Sequence, residues 1–343
     1  MARIRIYLTI LFAAVIATAW AQKTYSVALT GDVMMGTTFP TDQLPGHEGA
    51  YLFRDVKGIL RSADVAAGNL EGVLCDSGAT DKIMSEVCYA FRTPKSFTGR
   101  LKDAGYDFMS VANNHAYDFG LDGVKSTEHC LDSIGIAFAG IAGRREYTVI
   151  RRAGLKFGFA AFGHNPYTVK HLDEKTVRRV LARLRPKCDI MIVSFHGGAE
   201  GRAHSHLPYG TEEFLEEDRG DLRTFAHLCV DLGADIVYGH GPHVARCIEM
   251  YKNRFIAYSL GNFCTPYSIN LKGISGYAPL IVVNIDGKGK FLNGRIHSFI
   301  QTPGRGPRKD ASMRAAKEIR ALTASDIETP LINISSKGYI SRK

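Results

Sequence analysis

Residues 233–263 read GADIVYGHGPHVARCIEMYKNRFIAYSLGNF, and this stretch decides the fold. Gly233 closes a helix, and Asp235–Tyr238 is a short apolar strand. Gly239–His243 is a loop carrying two histidines, His240 and His243. Arg246–Ser259 reads as a hairpin turning at Lys252-Asn253, and Leu260-Gly261-Asn262-Phe263 ends it. The loop frees the two imidazoles from strand alternation, while the strand end fixes where they point. Such a pair is either half of a metal site or two solvated loop residues. The rest of the chain has to choose.

The same arrangement recurs upstream. Tyr25–Thr30 is rich in β-formers and runs into Gly31-Asp32. Asp64–Gly68 is followed by Asn69-Leu70-Glu71. Tyr106–Val111 is followed by Asn113-Asn114-His115, with Asp118 three residues on. Asp189–Phe195 is apolar and runs into His196-Gly197-Gly198-Ala199-Glu200. Amphipathic segments lie between, at Phe53–Arg61, Ser96–Ala104, Leu121–Ile134, Glu174–Arg185 and Asp221–Leu232. In Glu174–Arg185 the stripe is Val177, Val180, Leu181 and Leu184. Ile136–Ala139 is a further strand. Tyr147–Arg151 with Lys156–Phe162, and Leu280–Asp286 with Phe291–Ile300, read as hairpins. The pattern predicts an α/β fold, a mixed β-sheet sandwich flanked by helices. In such sheets ligands gather at the carboxyl ends of strands.

Five strand ends thus carry one kind of chemistry: Asp32; Asn69 and Glu71; Asn114 and His115; His196; His240 and His243. Singly, each has a plain structural role, as an Asx-turn, a helix cap or a buried histidine. Together, carboxylate, amide oxygen and imidazole suit one or two divalent ions, Mn, Fe or Zn.

At 343 residues with 45% hydrophobic content, the chain is long enough for a sizeable core. Arg3 and Arg5 precede the apolar run Ile6–Ala19, and Ala19-Trp20-Ala21 is an A-x-A cleavage site. Residues 1–21 therefore read as a secretory signal peptide, with a retained signal anchor as the alternative. Cleavage removes two arginines and takes the net charge from +9 to +7. Export implies a periplasmic, envelope-associated or secreted protein. Its basic charge suits an anionic small molecule or polymer, or envelope partners, or serves solubility alone. No nucleic acid is expected. Residues 22–303 form the main domain. Gly304-Arg305-Gly306-Pro307 is a linker, and residues 304–343 are a basic C-terminal extension with a helix at Ala311–Leu322.

Seven cysteines leave at least one free thiol in an oxidising compartment. Cys75 and Cys88 bracket the polar loop DSGATDKIMSEV and are the suggested disulfide, pinning an insertion beside the site as a wall or lid. Cys130, Cys188 and Cys229 read as buried thiols. There is no C-x-x-C pair, which argues against a cysteine-type zinc site.

The motifs in order are Gly-Asp, Gly-Asn-x-Glu, Asn-Asn-His-x-x-Asp-x-Gly, His-x-Gly-x-Glu, Gly-His-x-Pro-His-Val and Tyr-Ser-Leu-Gly-Asn-Phe. Over about Ser26 to Phe263 they resemble the CapA family, proteins linked to poly-γ-glutamate capsule synthesis whose fold is similar to that of calcineurin-like metallophosphoesterases. The resemblance implies a metallophosphoesterase-like domain. Against the wider superfamily pattern, Asp32 matches the Asp of Asp-x-His, but Met34 holds the His position. Gly68-Asn69 places an amide where a bridging carboxylate stands, with Glu71 two residues on. Asn114-His115, His196 and the pair His240 and His243 match the remaining motifs. One metal position is well supplied, by Asn114, His196 and His240 or His243. The other depends on Asp32 and Glu71, so both a mononuclear and a binuclear centre stay open.

The implied chemistry is attack by metal-activated water on phosphorus or a carbonyl. His115 would assist the leaving oxygen, oriented by Asp118. Glu200, Arg202 and Asn262 are the substrate-binding candidates, and His204 and His206 lie on the same loop as Arg202. No G-x-x-x-x-G-K-[ST] occurs, which argues against an ATP-driven ligase. The reading is a metal-dependent phosphoesterase-type hydrolase in capsule, poly-γ-glutamate or envelope polymer metabolism. The alternative is a non-catalytic accessory protein that binds an anionic polymer.

Overall fold

The computed structural model describes residues 23–83 and 88–343. The expected signal peptide lies outside the described residues.

Two large sheets carry the fold. The first has the parallel run Thr24–Val33, Val65–Leu70, Phe108–Ser110, Ala137–Ala139 at its centre and one flank. Tyr277–Asp286 and Phe291–Thr302 extend it antiparallel on the other flank. The second runs Ile248–Tyr251, Arg254–Ala257, Ile236–His240, Ile190–His196, Leu155–Gly163, Tyr147–Arg152, with its four inner strands parallel.

Side-chain alternation explains why the sheets face each other. Val27, Leu29, Val65, Ala67 and Phe108 point into one core with Phe157, Phe159, Ile190, Ile192, Ile236 and Tyr238 from the opposite sheet. The intervening residues of the same strands are also apolar. Ala28, Ala66 and Met109 meet Leu60, Leu101, Val124 and Leu131 from helices Lys57–Ser62, Thr98–Ala104 and Gly120–Ser133. Met191, Val193 and Val237 meet the stripe of Glu174–Leu184 and Leu222, Phe225 and Cys229 of Leu222–Asp231. Strands covered on both faces need unbroken apolar runs, and that is why DIMIVSF and DIVY read as they do. Asp173 and Asp221 cap the two helices on this side, accepting from Lys175 N–H and Thr224 N–H.

Three expectations are corrected. Residues 304–343 are not an appendage. Gly306–Lys309 is a strand paired with Phe291–Thr302, not a linker, and Tyr339–Arg342 pairs with the same strand. Ala316 and Ile319 of helix Arg314–Asp326 belong to the core between the sheets. Second, Cys75 and Cys88 are free thiols. Cys75 packs with Val73, Ala90 and Phe119. The arms of the insertion are joined by backbone instead, Val73–Leu74 pairing with Arg92–Thr93. Third, the polar loop after His196 contains a hairpin, Glu212–Phe214 with Glu217–Gly220, that sequence patterning missed.

Candidate metal centre

Register brings the strand ends together. Asp32 pairs on one side with Asn69 and on the other with Asn262. In the facing sheet His196 lies between His240 and Gly163. The backbones approach closely here: a Cβ on Gly31 would lie 1.8 Å from Gly261 O, and one on Gly241 would lie 2.5 Å from Gly197 O. Only glycine fits at either place. His243 adopts φ 56°, an unfavourable conformation for a bulky residue, and turns its ring back over the carboxylates.

Ligand atoms of Asp32, Glu71 and His243 lie within 4.8 Å of one another. His243 Nδ1 is 3.1 Å from Asp32 Oδ2, and its Nε2 is 3.7 Å from Glu71 Oε1. His240 Nδ1 is 3.4 Å from Asp32 Oδ1, and His196 Nε2 is 3.4 Å from Glu71 Oε1. Asp32, Glu71, His196 and His240 are all 0% exposed. Burial opposes ionisation of Asp32, yet its contacts to His240 and His243 hold its carboxyl well below the usual range. Burial, and then the charge of Asp32, push Glu71 well above it. Burial drives the His196 imidazole well below its ordinary value. Burial also works against a charge on His243, but Glu71, Asp32 and Glu200 outweigh it and push the ring up to about 10.

Several buried donor atoms have no hydrogen-bond partner: both ring nitrogens of His196, both of His240, Glu71 Oε1 and Asn114 Oδ1. Buried polar atoms are nearly always paired, so a cluster of orphans calls for a cause. Imidazole nitrogens and carboxylate or amide oxygens with free lone pairs are the donor set of a divalent ion, and the residues fit one.

Beside this cluster stands a second group. His115 Nδ1 is 2.9 Å from Asp118 Oδ2, as the three-residue spacing predicts. Because a carboxylate only accepts, Nδ1 is the donor and Nε2 is the free nitrogen. Burial lowers the basicity of His115, opposed by the Asp118 charge.

Some expected roles change. Asn69 is no ligand. Its Nδ2 donates to Asp32 Oδ1 at 2.9 Å and to Glu71 Oε2 at 2.8 Å, and its Oδ1 accepts from Asn113. It spans the two carboxylates through its nitrogen, and its oxygen takes a hydrogen bond from Asn113. Asn262 is buried and does not line a substrate surface. Its Oδ1 faces His243 Nδ1 at 3.1 Å, and its amide holds the carbonyls of His243 and Ser275. Arg202 is exposed on the turn Arg202–His204, while His206 faces Asp326. Arg219, not Arg202, meets Glu200, at 2.9 Å. Glu200 itself stands 4.0 Å from His243 Nε2.

Residues missed from sequence include Asn113, whose amide ties Asn69 to Leu70 O. Another is His164, directly after strand Leu155–Gly163, with Nε2 buried and 3.4 Å from Glu217. The strand-end rule that found His196 also points to His164. Nothing local marks Arg219.

The two facing sheets form a metallophosphoesterase-like fold, with this cluster at their strand ends. In agreement, a solved structure described as a novel phosphatase from Mycoplasma pneumoniae superposes with a TM-score of 0.53 at 14% identity, covering 82% of this chain and 95% of that one. Residues 26–267 match the family described as bacterial capsule synthesis protein PGA_cap, and the chain belongs to that family. It is 28% identical to the PGA biosynthesis protein CapA of Bacillus subtilis (strain 168), over 75% of this chain and 71% of the relative. It is 27% identical to the capsule biosynthesis protein CapA of Bacillus anthracis, over 76% and 67%. Every candidate ligand lies within the matched residues.

Proposed function

We propose that the protein is an exported, metal-dependent hydrolase of the phosphoesterase type, acting on capsule, poly-γ-glutamate or another anionic polymer of the cell envelope. One observation carries this reading: the partnerless buried donor atoms of His196, His240, Glu71 and Asn114. Each such atom costs about 1–3 kcal/mol when left unpaired, so the cluster is retained for something it binds. Asp32, Glu71, Asn114, His196, His240 and His243 would hold the ion. When bound, a divalent ion supplies Lewis acidity and lowers the pKa of water.

The chain's own residues do the rest. Asn69 keeps Asp32 and Glu71 at a fixed separation, and Asn262 fixes His243. His115, with Nδ1 engaged by Asp118, has Nε2 to pass a proton to a leaving oxygen or to steady charge developing there. Export is supported by the leader-like residues 1–21, and among the described residues no helix is long and apolar enough to cross a membrane. The basic net charge and the family's link to capsule synthesis support an anionic polymer.

A second reading is a non-catalytic module for polymer assembly or export. Met34, buried at 0% where the superfamily pattern has a histidine, and Asn69, which offers the carboxylates its nitrogen, favour it. Elemental analysis of protein purified without chelator, with turnover of a generic phosphodiester, separates the two. Metal bound with turnover is expected. A chain without metal, and without turnover on added Mn, Fe or Zn, leaves the binding module.

A further inference from the structure

The insertion between Leu74 and Arg92 reaches into the site. Lys82 lies on it and directs its ammonium at the His115–Asp118 pair. Nζ is 2.5 Å from Asp118 Oδ1, 3.0 Å from Asn114 O, 3.1 Å from Tyr89 O and 3.5 Å from His115 Nδ1. Asp118 is 1% exposed and shares its other oxygen between His115 Nδ1 and Phe91 N–H, the latter at 2.6 Å. The Phe91 ring packs on the His115 ring, centroids 4.3 Å apart. One inserted segment thus supplies the countercharge, a backbone donor and an apolar wall for the same imidazole.

We propose that Lys82 is a positioning residue for the site: it locks Asp118 and the Asn114 backbone in place and so fixes the direction of the His115 ring. Lys82 has three N–H donors, and Asp118, Asn114 and Tyr89 offer three acceptors. These contacts turn the ammonium toward the protein, which sets Lys82 apart from an ordinary anion-binding lysine. Without the ammonium, Asp118 Oδ1 loses its cationic partner, and the carboxylate is free to turn away from His115. A lysine from a separate segment also makes the pair conditional on the insertion being docked. Sequence spacing alone brings His115 and Asp118 together. Only the fold brings Lys82 to them.

The inference rests on the hydrolase reading, and the test keeps the two apart. Lys82→Met and Lys82→Arg are compared with wild type by metal per chain, kcat and KM on bis-p-nitrophenyl phosphate, and the rate of chymotryptic cleavage of the folded protein at Tyr89. For Lys82→Met we expect unchanged metal, kcat down about tenfold or more with KM within twofold, and cleavage at least tenfold faster; Lys82→Arg recovers most of each. A rise in KM with kcat unchanged would make Lys82 a substrate-binding residue and overturn the proposal. So would wild-type kcat in Lys82→Met. If wild type itself shows no turnover, the hydrolase reading fails, and the cleavage rate decides alone: an unchanged rate overturns the docking role of Lys82.

Discussion

His196 makes no hydrogen bond through either ring nitrogen, although it is fully buried. His115, by contrast, is committed through Nδ1 to Asp118. The two histidines should therefore fail differently. His196→Ala is expected to lose metal and activity together. His115→Ala is expected to keep its metal and lose about 10²–10⁴-fold in turnover. Metal per chain and kcat, measured on both variants, check this. Equal metal loss in the two would remove the division of labour. Asn69 permits a second residue-scale prediction. Its neutral amide donates to both Asp32 and Glu71. Asn69→Asp replaces those donors with a third carboxyl group. The metal-free variant should melt lower than wild type, and added Mn should raise its Tm by more than it raises that of wild type. A metal-free Tm at or above the wild-type value would show that the amide is not what keeps the carboxylates together.

Two elements place the site's loops. The segment after His196 is held by the pair of Arg246, 0% exposed, and Glu212, 6% exposed. Both guanidinium ends reach Glu212 at 2.7 Å, while Glu212 also accepts from Ala199 N–H and Arg246 donates to His204 O. Arg246→Leu strands the carboxylate and should cost about 3–5 kcal/mol in urea unfolding. The double change with Glu212→Gln should recover part of that, and failure to recover any would point to packing instead of charge. The strand Phe291–Thr302 carries His297, whose imidazole burial, aided by Arg295, pushes down to about 4. Here the folded value lies below the unfolded one of about 6.5. The unfolded chain then binds the extra proton between those values, so this contribution is present above pH 6.5 and is lost as pH falls toward 4. Tm should decline over that window, and His297→Gln should flatten the decline. A slope unchanged by the substitution would assign the acid sensitivity elsewhere, with buried His171, held near 3, the next group to test.

For the whole molecule, an ion that binds only the folded sandwich adds to its stability, by about 2.7 kcal/mol at a hundredfold excess over Kd. Melts with and without chelator should differ clearly for wild type and hardly at all for His196→Ala. Identical wild-type curves would count against a resident ion. The chain's local chemistry determined much of this molecule. Apolar runs such as DIMIVSF required strands covered on both faces, and amphipathic Glu174–Leu184 required a helix lying against one. Polar residues at the ends of those runs named Asp32, Glu71, His196, His240 and His243, because parallel strands between helices bring their carboxyl ends to one edge. What sequence could not supply was contact between segments far apart in the chain. The hydrogen bonds that make Asn69 a link between the two carboxylates depend on the register of its strand against Asp32. The tail 304–343 enters the main sheet and core through pairing with Phe291–Thr302, although its basic composition suggests a solvated extension. Lys82 and Arg219 carry no local pattern at all. Periodicity records which face of an element is buried, but the partner of a single long side chain is set only when the tertiary fold closes around it.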